Sequence, residues 1–209
     1  MCNYFLILLN IKVMNDNELV EILGSLNPDE LKIMEKYKSN NNDGKLYCDE
    51  INWSLRNDAT KKIPISDDFL LDIKQIDEII KKFKSNEYLL YRGTSEECLL
   101  PFLDNQDIYR NPEFLSTTLV KNLRRFLVNP SPVIVEFKMP TDSNIFPFYL
   151  DKRLDNEEKE VLLPRNLTFK LTSKSILLEK DQIKKALQEY SAYDPLPPDK
   201  LSIYKFEIM

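Results

Sequence analysis

Two glutamates, Glu158 and Glu160, flank one lysine immediately before the apolar run that begins at Val161. If residues 159–163 start a strand, side chains alternate between its faces and both carboxylates point the same way. Two residues of strand separate them by roughly 6.6 Å along the chain. Such a pair is unfavourable unless positive charge lies between its members: a Lys or Arg side chain, a counterion, or a cation that forms only during a reaction. A charged loop that leads into a half-buried strand is the structural alternative.

Histidine is absent from the 209 residues, and this absence excludes several kinds of active site. Ser-His-Asp and Cys-His nucleophilic sites need histidine, and so do HExxH zinc proteases. The three glycines form neither a GxGxxG motif nor a P-loop. The cysteines Cys2, Cys48 and Cys98 are widely spaced without a CxxC pair, so we expect ordinary thiols and no metal site. Any chemistry therefore rests on carboxylates, Arg, Lys, Ser, Thr or Tyr.

Charge and hydropathy limit the partners. The net charge is −5, from 29 Lys plus Arg and 34 Asp plus Glu, and it argues against a nucleic-acid surface. The apolar run at 4–13 is too short to span a bilayer, and it lacks the basic region and cleavage site of a secretory signal. It is a strand or a helix end, or it precedes the true start at Met14. We expect no membrane partner and action inside a cell, either the producer's cytoplasm or a host cell reached by export.

The elements that must position these residues follow from apolar periodicity. Helices are predicted at 15–26, 27–37, 48–56 and 69–84, and Asn27 begins the second with a capping-box spacing to Glu30. From residue 87 onward, the pattern predicts strands at 88–93, 114–119, 132–139, 159–163, 167–173, 175–179 and 201–209. Between them lie a short helix at 121–126, an extended aromatic piece at 145–150, a charged loop at 151–157 and a helix at 180–190.

This order predicts the α+β fold class, with N-terminal helices followed by an antiparallel-rich mixed β-sheet core. We expect one domain over residues 1–209, with a mainly helical part at 1–86 and a β-rich part at 87–209. The length of 209 residues is sufficient for one domain with a sizeable core.

Three motifs occur along the β-rich part: Tyr91-Arg92-Gly93, Phe114-Leu115-Ser116-Thr117-Thr118, and Glu158-Lys159-Glu160. In this order and spacing the chain resembles the R-S-E class of mono-ADP-ribosyltransferases, which includes arginine-specific ecto-transferases and bacterial binary and Rho-modifying toxins. The helical segments 29–37 and 51–56 also resemble the toxin branch, so the resemblance covers about residues 26–172. It implies the ADP-ribosyltransferase fold with NAD+ as a substrate. The absence of histidine excludes the other main transferase class, whose NAD site needs one.

The chemistry of this class suits a chain without histidine. Cleavage of the bond between nicotinamide and ribose develops an oxocarbenium cation on the ribose. A carboxylate about 3.5 Å from that cation gains roughly 5 kcal/mol at an effective dielectric constant of 20, which is roughly three to four powers of ten in rate. Nicotinamide leaves as a neutral molecule, so no general acid is required.

The resemblance assigns catalytic roles to four residues. Glu160 would hold a hydroxyl of the nicotinamide ribose and stabilise the cation, and Ser116 would fix Glu160 by a hydrogen bond. Glu158 would orient and deprotonate the acceptor, and the ExE form is the one associated with arginine acceptors. Arg92 would grip the NAD pyrophosphate, which suits the fork of its guanidinium group.

Other residues complete the implied NAD site. Gly93 would admit the backbone close to the nicotinamide amide, while Tyr91 and Thr117 would line the site and support its strands. The loop before Glu158 would face the protein substrate, with Tyr149 or Phe148 as an aromatic contact. Arg124 or Arg125 is a candidate for a second phosphate contact. The chain departs from the family pattern in two places: Thr118 stands where the family has a third serine, and residues 151–156 replace a glycine-rich loop.

Three functions follow from these residues. The first is a mono-ADP-ribosyltransferase that modifies a protein, with arginine as the expected acceptor. The second is an NAD glycohydrolase, in which water takes the place of the acceptor. The third is a non-catalytic domain of the same fold that binds a partner. Each assigned role also has a structural alternative: Arg92 as a surface strand arginine, Ser116 as a buried hydroxyl bonded to backbone, and Glu158 as a solvated charge.

Overall fold

The computed structural model describes residues 15–41, 43–123, 131–154, 158–190 and 197–209. Several predictions from the sequence lie outside these ranges: the apolar run at 4–13, the arginines Arg124 and Arg125, and the end of the charged loop at 155–157. Within the described ranges, no helix is both long and apolar enough to cross a membrane.

Four helices open the described chain, in the order predicted. They are α1 (Asp16–Ser25), α2 (Pro28–Lys38), α3 (Tyr47–Ala59) and α4 (Asp67–Ile80). The Asn27 side chain accepts hydrogen bonds from the amides of Asp29 and Glu30, and the Glu30 carboxylate accepts one from the Asn27 amide, so the predicted capping box is present. Helix α4 ends at Ile80 rather than at residue 84, yet Phe83 in the following turn is still fully buried.

In the part of the chain that the structure describes, seven strands form one mixed sheet. They are β1 (Tyr88–Ser95), β2 (Ile108–Arg110), β3 (Leu115–Thr118), β4 (Pro132–Met139), β5 (Glu160–Leu163), β6 (Thr168–Leu177) and β7 (Leu201–Ile208). The strand order is β2-β6-β7-β4-β1-β3-β5. Among the strand pairs of the described chain, only β4 and β7 run parallel. The predicted α+β class with an antiparallel-rich mixed sheet is therefore confirmed.

Alternate residues of β4 face two hydrophobic clusters. Val133, Val135 and Phe137 belong to the cluster that includes the buried residues of α1–α4. Ile134 belongs to a second cluster on the other face, with the buried residues of helix α6 (Lys180–Glu189). Because successive side chains of a strand point to opposite faces, the central strand is covered on both sides. This explains why β4 begins with the continuous apolar run 132–135.

Several local predictions were wrong. The two strands expected at 167–173 and 175–179 are the single strand β6, with an irregularity between Leu171 and Ser173. Strand β7 pairs with β6 from Phe169 to Leu177, whereas β2 pairs only with the first three residues of β6. Within the described ranges, the second half of β6 therefore has one edge without a strand partner, and such an edge tolerates polar side chains. In place of an extended piece at 145–150, Phe148–Leu150 is a 3-10 helix. Residues 121–123 are not helical. Strand β2 and the short helix α5 (Glu96–Leu99) were not predicted.

Replacing Asn27 tests the capping box. We expect Asn27→Ala to lower the free energy of unfolding by about 1 kcal/mol, because the first amides of α2 lose their acceptor. Asn27→Ser retains a capping oxygen and is the matched control. Chemical denaturation monitored by circular dichroism measures both variants, and equal stability of the alanine and serine variants would contradict the role given to this cap.

Candidate active site

The three motifs lie on three neighbouring strands. Tyr91 of β1 pairs with Thr118 of β3, and Thr118 pairs in turn with Glu160 of β5. Antiparallel partners lie about 5 Å apart. Strand pairing therefore brings together Tyr91 and Glu160, which lie 69 positions apart in the sequence.

The region around Lys159 differs from the predicted strand start. Strand β5 begins at Glu160, and Lys159 has a φ angle of 51°, in the left-handed region that side chains other than glycine rarely adopt. Hydrogen bonds hold this turn: the Thr118 hydroxyl donates to the Glu158 carbonyl oxygen at 2.5 Å, and the Leu119 amide donates to the Lys159 carbonyl oxygen at 3.1 Å. Glu158 lies before the strand, so the alternation of side chains along β5 does not determine where it points. Both glutamates nevertheless line one cavity.

That cavity has a volume of about 300 Å³ and lies between the helices α2 and α3 and the strands β1, β3 and β5. Its volume is at the lower end of the range for small-molecule sites. All seven site residues predicted from the sequence line it: Tyr91, Arg92, Gly93, Ser116, Thr117, Glu158 and Glu160.

Glu160 is buried, with 4% of its surface exposed. The Ser116 hydroxyl donates to its Oε1 at 2.6 Å, which is the contact implied by the family resemblance. The Lys38 ammonium group, at the end of α2, pairs with Oε2. This lysine was not predicted as a site residue. A buried charge is stable only when it is paired and hydrogen-bonded, and both oxygens of Glu160 meet that requirement.

Arg92 is held in one orientation from two sides. Its Nη1 donates to the carbonyl oxygen of Ser116 at 2.9 Å, and its Nη2 lies 3.5 Å from Oε1 of Glu113. Glu113 is 3% exposed and also pairs with Arg56 of α3. One buried carboxylate thus positions the arginine of the first motif. The sequence does not indicate that Glu113 belongs to the site, because its distance along the chain from the motifs does not distinguish it from the other acidic residues.

The side-chain amide of Asn52 on α3 forms two hydrogen bonds with the backbone of Phe114, just before β3. Its amide nitrogen donates to the Phe114 carbonyl oxygen at 3.1 Å, and its amide oxygen accepts from the Phe114 amide at 3.1 Å. In this way the wall formed by α3 keeps a defined position relative to Ser116. Asn52 lies in the segment 51–56 that resembles the toxin branch, but its sequence context gives no indication of this contact.

Cys48 lines the cavity as well. Burial raises the pKa of its thiol to about 11, and the negative charges of Asp49 and Glu160 contribute to the increase. The thiol is therefore protonated at neutral pH, so it is not a ready nucleophile. Within the described ranges, no three His, Cys, Asp or Glu side chains are grouped closely enough to hold a metal ion.

The structure contradicts one of the two aromatic residues that were predicted to contact a protein substrate. Phe148 is fully buried and stacks on Tyr37 with ring centroids 6.4 Å apart, so it cannot meet a partner. Tyr149 donates a hydrogen bond to Asp16 of α1 at 2.9 Å and is not among the residues that line the cavity. The packing of α1 and α2 against this segment, which the local sequence does not specify, explains both positions.

Replacing Glu113 tests how strongly the two arginines depend on it. We expect Glu113→Gln to lower the free energy of unfolding by about 3 kcal/mol, because Arg56 and Arg92 lose a buried counter-charge. Glu97 of α5 is exposed, so Glu97→Gln is the matched control and should change stability little. Urea denaturation measures both variants. A difference below the experimental error would refute this role of Glu113.

Comparison with known proteins places the chain in a family. Residues 14–193 match the model of the ADP-ribosyltransferase exoenzyme family, while comparison with curated protein sequences gives no match. Similar solved structures include Plx2a, an ADP-ribosyltransferase toxin from Paenibacillus larvae, with 18% identity, a TM-score of 0.64 and 92% of each chain covered. An ADP-ribosyltransferase from Clostridium botulinum has 18% identity and a TM-score of 0.62, also over 92% of each chain.

A third similar structure contains the expected substrate. It is C3stau2 from S. aureus with NAD, which has 16% identity and a TM-score of 0.61 over 93% of this chain and 92% of that one. At such identities these structures show the shared fold. The family match spans most of the chain, and the three motifs meet in one cavity of that fold. The chain therefore belongs to the ADP-ribosyltransferase exoenzymes and is an R-S-E class mono-ADP-ribosyltransferase that uses NAD as its substrate.

Proposed function

We propose that this chain transfers ADP-ribose from NAD to an arginine side chain of a protein, with Glu160 acting on the ribose and Glu158 on the acceptor. The observation that carries this proposal is the shared cavity: Glu160 is held there by Ser116, and Glu158 lines the same space. An ExE pair of this kind is what the resemblance associates with arginine acceptors.

Glu160 acts on the bond that breaks. When the bond between ribose C1′ and the nicotinamide nitrogen cleaves, its electron pair stays with nicotinamide and positive charge develops on the ribose. A carboxylate that is already oriented stabilises this charge without reorganisation. The hydrogen bond from Ser116 to Oε1, at 2.6 Å, supplies that orientation. The carboxylate also accepts a hydrogen bond from a ribose hydroxyl.

Arg92 binds the negative part of the substrate. A guanidinium group offers five donors in a planar fork, and this geometry matches phosphate oxygens. Because Glu113 and the carbonyl oxygen of Ser116 already hold the group in one orientation, little side-chain entropy is lost when the pyrophosphate binds. Arg92 thereby fixes NAD with its nicotinamide end toward Glu160.

Glu158 acts on the acceptor. Its carboxylate suits an incoming guanidinium group, which it can bind through two parallel hydrogen bonds. One guanidinium nitrogen forms the new bond to ribose C1′, and the proton that it releases passes to Glu158. The turn at Lys159 supports this division of labour, since it lets two glutamates two positions apart reach one cavity although β5 begins only at the second of them.

The proposal also concerns where the reaction takes place. The similar structures include proteins named as toxins from Paenibacillus larvae. By analogy, this chain modifies a protein inside a host cell, as a toxin or effector. Labelled bands in a host-cell lysate incubated with labelled NAD would identify the target.

The first test removes the charge of Glu160. Glu160→Gln should lower the rate of protein labelling by roughly three to four powers of ten, because the cation loses a carboxylate worth roughly 5 kcal/mol. Transfer is measured with labelled NAD and a lysate, and mass spectrometry of the recovered target identifies the modified residue. Glu97→Gln is the control and should retain activity. Full activity of the Glu160→Gln variant, or a modified residue other than arginine, would contradict the respective part of the proposal.

The second test separates the two glutamates. Glu158→Gln should abolish transfer to arginine while NAD hydrolysis continues, because water does not need a carboxylate that binds a guanidinium group. Release of nicotinamide and labelling of protein are measured in parallel. If both activities fall equally, the two glutamates do not have separate roles. If the unmodified protein releases ADP-ribose without labelling any protein, it is an NAD glycohydrolase, and if it yields neither product, it is a binding domain.

A further inference from the structure

The carboxylate of Glu160 is already occupied before NAD arrives. Ser116 donates to one oxygen at 2.6 Å, and the ammonium group of Lys38 contacts the other. The side chain of Lys38 is 16% exposed, and its Nζ lies 5.2 Å from the centre of the Phe148 ring. Lys38 is thus packed into the wall of the cavity, and its ammonium group pairs with the glutamate that the reaction needs.

A lysine in the last turn of a helix has an ordinary explanation, since cations are stabilised there by the helix dipole. Helix α2 carries Lys36 and Lys38 in its last turn. Lys36 pairs with Asp72 at 2.6 Å, on α4. Residues two apart on a helix do not face the same side, and Lys38 faces the cavity instead. The dipole accounts for a lysine at this end of the helix but not for its contact with Glu160.

The contact conflicts with the reaction. Glu160 must accept a ribose hydroxyl and face a developing cation, whereas Lys38 presents a second positive charge at the same carboxylate. Two like charges at one carboxylate repel each other, and the repulsion is stronger in a site shielded from water. Lys38 can leave without a change in the backbone, because its charge stands on a flexible four-carbon stem.

We propose that Lys38 neutralises Glu160 in the free protein and is displaced by the nicotinamide ribose, so that it sets the affinity for NAD. This inference rests on the role proposed above for Glu160. It makes Lys38 a positioning residue that keeps a buried carboxylate paired until substrate replaces it. The same displacement precedes both the bound complex and the transition state, so it weakens the binding of both equally and affects KM rather than kcat.

The test replaces Lys38 by methionine, which keeps most of the length and packing of the stem without the charge. Lys38→Met should bind NAD about fivefold more tightly by isothermal titration calorimetry, a size typical of coupling between contacting residues. KM for NAD should fall by the same factor while kcat changes less than about twofold. Lys38→Arg retains the positive charge and should keep the affinity of the unmodified protein.

A double-mutant cycle shows whether the effect passes through Glu160. In the Glu160→Gln background, Lys38→Met should leave NAD affinity unchanged, because no ion pair remains to be displaced. Thermal melting gives a second readout: Lys38→Met should lower the melting temperature when Glu160 is present, since a buried carboxylate loses its partner, and much less in the Glu160→Gln background. If the methionine variant does not fold, Lys38→Gln provides the same neutralisation.

Three results would overturn the inference: weaker NAD binding by Lys38→Met, unchanged binding, or an equal effect in both backgrounds. The first would mean that Lys38 contacts NAD favourably, and the last would mean that it acts without Glu160. These results are distinct from failure of the proposed function. If the modified residue is not arginine, the double-mutant cycle on NAD affinity can still give the result expected here. If that cycle fails, Glu160→Gln can still abolish protein labelling.

Discussion

The burial of one carboxylate is the constraint on which the site depends. Glu160 lies at the first position of β5 with 4% of its surface exposed, and an ionised carboxylate there is tolerated only with close partners. Ser116 on the adjacent strand provides a hydrogen bond, and Lys38 on a helix provides a charge. The glutamate and its partners belong to three separate elements, so both contacts of Glu160 form only when β3 and the end of α2 lie beside β5.

Polar contacts of the same kind join the helices to the sheet around the cavity. Glu113, just before β3, pairs with Arg56 of α3 and with Arg92 of β1, while Asn52 bonds both backbone groups of Phe114. Hydrophobic packing is non-directional and would allow α3 to slide over the sheet. Buried hydrogen bonds are directional and costly to leave unmade, so they fix the cavity walls at defined positions. The arginine and the serine of the motifs are held in place by this framework rather than by their own strands alone.

Much of the fold was accessible from local patterns. The four N-terminal helices carry strong apolar periodicity, and two begin at capping boxes, while β4 is a mainly apolar strand that ends before Pro140. Other elements lack such signals. Strand β2 has only three residues and exists because β6 offers an edge to pair with. The aromatic run at 145–150 has strand-like composition, but two of its rings, Phe146 and Phe148, are fully buried, and Phe148–Leu150 forms a 3-10 turn.

The sequence by itself determined the chemistry. The absence of histidine and the order and spacing of the Arg92, Ser116 and Glu160 motifs are properties of the chain. Through their resemblance to the R-S-E class they imply an NAD-dependent transfer without any knowledge of contacts. Only the tertiary structure decided which other residues contact the side chains of these motifs. Lys38 and Glu113 are ordinary charged residues in the sequence, and the turn at Lys159 contradicts the simple strand alternation predicted for the two glutamates. The physical reason is that the motifs can be read along the chain, residue by residue. The ion pairs of Lys38 and Glu113 join residues on different helices and strands, and their distances are defined only after folding.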